Sequence, residues 1–138
     1  MYRILIQPYK QTALRHLDMA DTLLSTKFHD GAAFHVYHAY ESIICAALLK
    51  QQPYNMPPLA HPTKLNRFLH VFAKDIILTL ESAKLSPYLL NMRNRVLYPE
   101  LRRSTVIVPS AAISYQQVQN YLSRVKQFVN LVTTKLGI

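Results

Sequence analysis

The chain has 138 residues, half of them hydrophobic and 17% charged, which suits one folded domain with a sizeable core and excludes a disordered segment. With only two glycines, a loop-rich or all-β architecture is disfavoured. Sixteen Lys and Arg against seven Asp and Glu give a net charge of +9, a field that favours nucleic acid, nucleotides, acidic protein or anionic lipid as partners, although the same charge also serves solubility alone.

In chain order, Met1 to Pro8 lacks the charged-then-apolar-then-small order of a secretory signal, so a cytoplasmic protein is expected. The first helix is predicted over about Gln11 to Thr26, with Ala13, Leu17, Ala20 and Leu24 on one stripe. Lys27 to Asp30 breaks it, and Asp30 suits the N-cap of the next helix. That second helix, about Gly31 to Lys50, is apolar nearly all the way round, as expected of the central helix of a bundle. Its polar members His35, His38, Glu41 and Ser42 therefore need partners.

The single cysteine, Cys45, lies in the apolar run Ile43 to Leu49, which reads as a buried small side chain rather than a nucleophile. It excludes an internal disulfide and fits a reducing compartment. The run itself is too short to span a bilayer, so no membrane partner is expected.

Residues 51 to 62 form a proline-rich connector. A third helix is predicted from about Lys64 to Lys84, turning Leu65, Phe68, Leu69, Phe72, Ile76 and Leu80 inward. Ser86-Pro87 reads as an N-cap and first-turn proline opening a fourth helix, which ends near Leu97 because Pro99 disfavours helical geometry at Tyr98. Pro99 to Pro109 is a loop with Arg102, Arg103 and a β-branched stretch. The last helix, about Ala112 to Leu136, carries a seam of Val118, Tyr121, Leu122, Val125, Phe128, Val129, Val132 and Leu136 that faces either the bundle or a second subunit. The expected architecture is all-α, an up-and-down bundle of four or five helices forming one domain over residues 1 to 138.

Chemistry concentrates in Arg93-Asn94-Arg95-Val96-Leu97-Tyr98-Pro99, where charge, amide and phenol crowd together before a proline. Arg93 offers a rigid bidentate fork for an anion or a base edge, Asn94 an amide, and Tyr98 shares a helix face with Asn94. The alternative is an exposed basic helix end whose arginines complement the helix dipole. Arg95, Arg102 and Arg103 flank the segment, with Lys64 and Arg67 as candidate neighbours in space, and beside Tyr98 and Tyr88 they suit either a strip for single-stranded RNA or a nucleotide, or simply a solvated loop. Spacing of three among His35, His38 and Glu41 permits metal ligation, but HExxH is absent and no cysteine assists, so no metal or other cofactor is expected. Nor do His16, His29, His61 and His70 show ligand spacing with one another, and no glycine-rich phosphate loop or serine elbow exists.

The layout resembles a HEPN domain over most of the chain. The resemblance rests on the opening helix with Ala20-Asp21-Thr22-Leu23-Leu24, the second helix from His38 to Lys50, and the late arginine motif. Family members with ribonuclease activity carry an Arg, often followed by Asn, and a His separated from that Arg by four to six intervening residues. Arg93 matches the arginine and Asn94 the asparagine, whereas Tyr98 stands where the shortest-spaced histidine would be. No histidine follows His70, so the motif is broken rather than shifted.

Cleavage of RNA by a 2′-hydroxyl needs a base and an acid near neutrality, which imidazole provides. A phenol of ordinary pKa is only about 0.1% ionised at pH 7. The resemblance therefore implies binding of RNA or a nucleotide with weak or no nuclease activity, in a homodimer whose two motifs share one cleft. It also implies a minimal nucleotidyltransferase as a partner, as in toxin–antitoxin pairs.

Two alternatives stay open. One is a metal-independent endoribonuclease toxin that borrows a base from His35, His38 or Glu41, although Glu41 also suits a buried pairing with Arg93. The other is a non-catalytic module whose final-helix seam docks another protein.

Overall fold

A computed structural model describes every residue from Met1 to Ile138. After a 3-10 turn at Arg3–Leu5 come α1 (Ile6–Ser25), α2 (His29–Gln51), α3 (His61–Val71) and α4 (Ile76–Leu97). A small antiparallel hairpin, β1 (Glu100–Arg102) and β2 (Thr105–Ile107), leads through the single turn α5 (Pro109–Ala112) to α6 (Tyr115–Leu136). The fold is a helical bundle, as the patterning predicts, and the hairpin is the only β structure.

The all-round apolarity of α2 has the expected consequence. Each residue from Ala39 to Leu49 is buried, and α1, α3, α4 and α6 all pack on this helix. Although the Ile43–Leu49 run is short, the whole of α2 is long and apolar enough to cross a membrane by length and composition. Its apolar surface is instead largely covered by the surrounding helices. Cys45 is buried there, and burial pushes its thiol up to about 12, which keeps it protonated and unreactive.

The α6 seam faces the bundle. Val118, Leu122, Val125, Phe128, Val129 and Val132 are buried within the chain, so this seam is spent on the core and does not remain free to dock a partner. Ser114 and Gln117 form a capping box at its start, and Gly137 ends it in the left-handed conformation.

Three local expectations are corrected. Phe28, not Asp30, occupies the N-cap of α2; Asp30 lies in the first turn, where its charge still complements the dipole. The helix predicted over Lys64 to Lys84 breaks after Val71, because Asp75 caps a new helix by accepting the backbone N–H of Leu78 at 3.0 Å. The break shifts the helical phase, so Leu78 becomes buried while Ile76 and Leu80 are exposed.

Ser86-Pro87 accordingly sits inside α4 instead of opening a helix. Proline frees the carbonyl four residues back, at Ala83, and both Ala83 and Pro87 lie on the exposed face where water can satisfy it. Ser86 points the other way, and its hydroxyl lies 2.7 Å from the buried Tyr40 hydroxyl, which also meets Ser82.

Candidate functional site

Arg93, in the last two turns of α4, turns toward α2. Its guanidinium carbon lies 5.8 Å from the centroid of the Tyr37 ring, in cation–π range. One Nη donates to Asn94 Oδ1 at 3.1 Å, while Nε is buried without any hydrogen-bond partner. No carboxylate pairs with this arginine. The expected Glu41–Arg93 pair does not form, because Glu41 is already taken by α2 and α3. Lys64 Nζ donates to Oε1 at 2.9 Å, Tyr37 donates to Oε2 at 2.8 Å, and His61 Nδ1 also meets Oε2.

Glu41 and Lys64 are both buried, so this is an internal ion pair. Burial works against the Glu41 charge, but the bonds from Lys64, His61 and Tyr37 outweigh it and hold the carboxyl below its ordinary range. The Tyr37 phenol is driven upward by its own burial and by the adjacent carboxylate, so it stays protonated and donating.

Beside Arg93 lies a face that one-dimensional spacing did not reveal. Four of the six histidines gather from three helices: His16 on α1, His35 and His38 on α2, and His61 at the start of α3. Ring centroids are 5.1 Å apart for His16 and His35, 5.6 Å for His16 and His38, and 6.4 Å for His38 and His61. The Nδ1 atoms of His16 and His35 approach to 2.8 Å, so one nitrogen donates and the other must be unprotonated to accept.

The Phe34 ring packs on His38 with centroids 4.3 Å apart and the two planes tilted by 56°. Burial first, and then the neighbouring cationic groups of His16, Arg93 and His61, push His38 down to about 4 despite the opposing pull of Glu41. His16 and His35 are lowered as well, His35 by burial and His16 by burial, His35 and Arg15. No three of the histidine, cysteine and acidic side chains converge on a point that a metal ion could occupy.

The sequence marks His35, His38, Glu41 and Arg93, whereas His16 and His61 join them only in the fold. Two signals were available. His16 precedes Leu17 on a stripe of small residues, Ala13 and Ala20, that lets α1 approach α2 closely, and His61-Pro62 marks the start of a helix.

The remaining predicted residues spread out. Asn94 stays with Arg93 at the surface, whereas Tyr98 ends α4 in extended backbone, 70% exposed, and hydrogen-bonds to neither. Arg95, two residues from Arg93 and therefore about 200° round the helix, faces α6 instead. Arg102 pairs with Glu100 at 2.9 Å, and Arg103, at φ 55°, marks the exposed hairpin turn. Lys64 and Arg67 do not join the strip: the first is bound to Glu41, and the second to Gln52 Oε1 at 2.6 Å and the Met56 carbonyl at 2.7 Å.

The arrangement can do two things chemically. A cation with unspent N–H groups, beside neutral imidazoles and without a carboxylate, can accept a phosphate. The imidazoles can in principle carry protons to or from a bound ligand.

No curated protein and no solved structure matched the chain. A family model of the HEPN domain matches residues 6–135, nearly the whole length, and it requires the helical bundle seen here. The chain belongs to the HEPN domain family, a group of helical modules tied to nucleotides and RNA.

Proposed function

We propose that this protein binds single-stranded RNA or a nucleotide, taking a phosphate at Arg93 and Asn94 with the histidine face beside them, and has weak or no nuclease activity. Tyr98 and the exposed Arg102 and Arg103 lie farther along the chain, as contacts for a strand that runs past the phosphate site. The observation that carries this reading is Arg93 itself: held by Tyr37 and Asn94, buried at Nε, and neutralised by nothing within the fold. In the same reading the protein is a cytoplasmic homodimer whose two Arg93 faces share one cleft, and its biological partner is a minimal nucleotidyltransferase.

The experiment is equilibrium binding of a short fluorescent single-stranded RNA at several salt concentrations. Arg93→Ala should weaken binding about tenfold or more, the worth of a charge-assisted hydrogen bond, and flatten the salt dependence by about one phosphate. Unchanged affinity in that variant contradicts the proposal.

A second reading is favoured by one observation: His38 and Arg93 both lie against the Tyr37 ring, which brings an imidazole to the side of an arginine whose own motif lacks one. Metal-independent cleavage would then use His38 as base. A histidine at about 4 is neutral at pH 7, free to accept a proton but weakly basic, and present as an acid at only about 0.1%. Cleavage in EDTA is therefore expected to be slow or absent. Rapid cleavage that survives Tyr98→Phe and is lost with His38→Ala would establish the nuclease.

A further inference from the structure

A cleft on the opposite side of α4 from Arg93 has a different chemistry. Between α4 and α6 it encloses about 230 Å³ and is lined by Tyr88, Asn91, Met92, Arg95, Ile113, Gln117 and Tyr121. Met92 and Ile113 form a buried apolar floor. The walls carry two phenols, two amides and a guanidinium, and most of their hydrogen-bonding capacity is unspent. Neither tyrosine hydroxyl nor the Asn91 amide is engaged within the fold, and Gln117 uses only Oε1, to accept the Ser114 N–H. Arg95 buries its Nε without a hydrogen bond, its one ionic neighbour being Glu100 Oε1 at 3.8 Å. That carboxylate is shared with Arg102, which holds the other oxygen at 2.9 Å, so Arg95 is only partly neutralised. The cleft runs into a second groove that shares Gln117 and Tyr121 and adds Asn120, Ser123 and Arg124.

We propose that this cleft holds one unpaired nucleobase together with its phosphate: the base rests on the apolar floor against Tyr88 and Tyr121, Asn91 and the Gln117 Nε2 meet its edge, and Arg95 or Arg124 meets the phosphate. A base has an apolar face, a polar edge and an anion a few ångströms away, and the cleft offers an apolar floor, amides at its rim and cations beyond it. Aromatic stacking gives affinity for any base, and amide side chains add discrimination at the edge. The inference rests on the RNA- or nucleotide-binding reading above but uses different residues, so the two can fail separately. A free nucleotide and a base at one position of an RNA strand present the same chemistry.

The test is calorimetric binding of AMP, GMP, UMP and a five-nucleotide RNA to the full chain, to Tyr88→Ala and to Arg93→Ala, with inorganic phosphate as competitor. Tyr88 and Asn91 are exposed, so variants there leave the fold intact, and thermal melting checks it. The expected result is nucleotide binding that weakens about tenfold or more in Tyr88→Ala, is unchanged in Arg93→Ala, and is not displaced by equimolar phosphate. If only the RNA binds, its affinity should still fall in Tyr88→Ala, and an abasic strand should be insensitive to that change; this identifies the strand as the source. Binding of nucleotides but not RNA supports the cleft and overturns the phosphate-strand reading at Arg93. The cleft proposal is overturned if neither ligand binds, if Tyr88→Ala changes nothing, if phosphate competes as well as nucleotide, or if nucleotide binding disappears with Arg93→Ala.

Discussion

Glu41→Ala is expected to destabilise the protein by about 3–5 kcal/mol, enough for a large fraction of its folding free energy, because it strands a buried ammonium. The carboxylate sits among Lys64, His61 and Tyr37, and Lys64 is itself buried with no other acceptor. Removing the acid costs more than the pair is worth, since the Lys64 charge must then stay unpaired, lose its proton or drag α3 open to water. Loss on that scale lowers the melting temperature by roughly 10–20 °C for a chain of this length. Glu41→Gln keeps the shape and one acceptor oxygen, so it should fall between. Urea unfolding of both variants checks the order, and a Glu41→Ala protein as stable as the parent would show that Lys64 is not held by this ion pair.

Acid should loosen the protein well before its carboxylates titrate. His16, His35 and His38 are all held below the ordinary histidine range, His38 at about 4. For a histidine whose folded pKa is depressed, the unfolded chain binds the proton more readily. Stability is therefore complete above about pH 6.5 and falls as pH drops from there toward the folded values. Each proton refused by the fold contributes at most about 1.4 kcal/mol per pH unit, and partial exposure of these rings reduces the effect.

Most of the groups facing them act in the same direction. Arg15, Arg93 and His61 oppose protonation, Glu41 alone favours it, and the Nδ1–Nδ1 bond between His16 and His35 breaks if both rings are cationic. Glu41, held below its ordinary value, adds a second loss that begins only below about pH 4.5. Melting temperatures should fall between pH 7.5 and 5, with a shallower fall in His38→Gln. A flat profile across that range would mean the histidine face is open to solvent in the folded state.

How much of this was legible in the sequence depends on whether the signal is local. The unbroken apolarity of α2 forces it to the centre whatever the other helices do, and the α6 seam follows from its 3–4 spacing. The break at Asp75 was hidden because Phe72, Ile76 and Leu80 continue an apolar spacing across it, so periodicity outweighed a good N-cap residue. Ser86-Pro87 mimicked a helix start; only the exposure of that α4 face explains why the proline is tolerated mid-helix.

The site was legible by residue type and opaque in direction. Arg93 and Arg95 read as one patch, yet two residues on a helix point to opposite faces, one to the histidines and one to the α4–α6 cleft. His16 and His61 became neighbours of His38 only through the packing of three helices, which no spacing along the chain encodes.

The most direct test of the phosphate role of Arg93 is a side-by-side comparison of RNA affinity in Arg93→Ala and Arg102→Ala. Both remove one positive charge, but Arg102 is exposed and already paired with Glu100, whereas Arg93 is half-buried and free of any carboxylate. Arg93→Ala should lose about tenfold or more in affinity and Arg102→Ala no more than a few-fold at the same salt concentration. Equal, small losses in the two variants would mean that the protein attracts RNA through its overall charge and that Arg93 holds no phosphate.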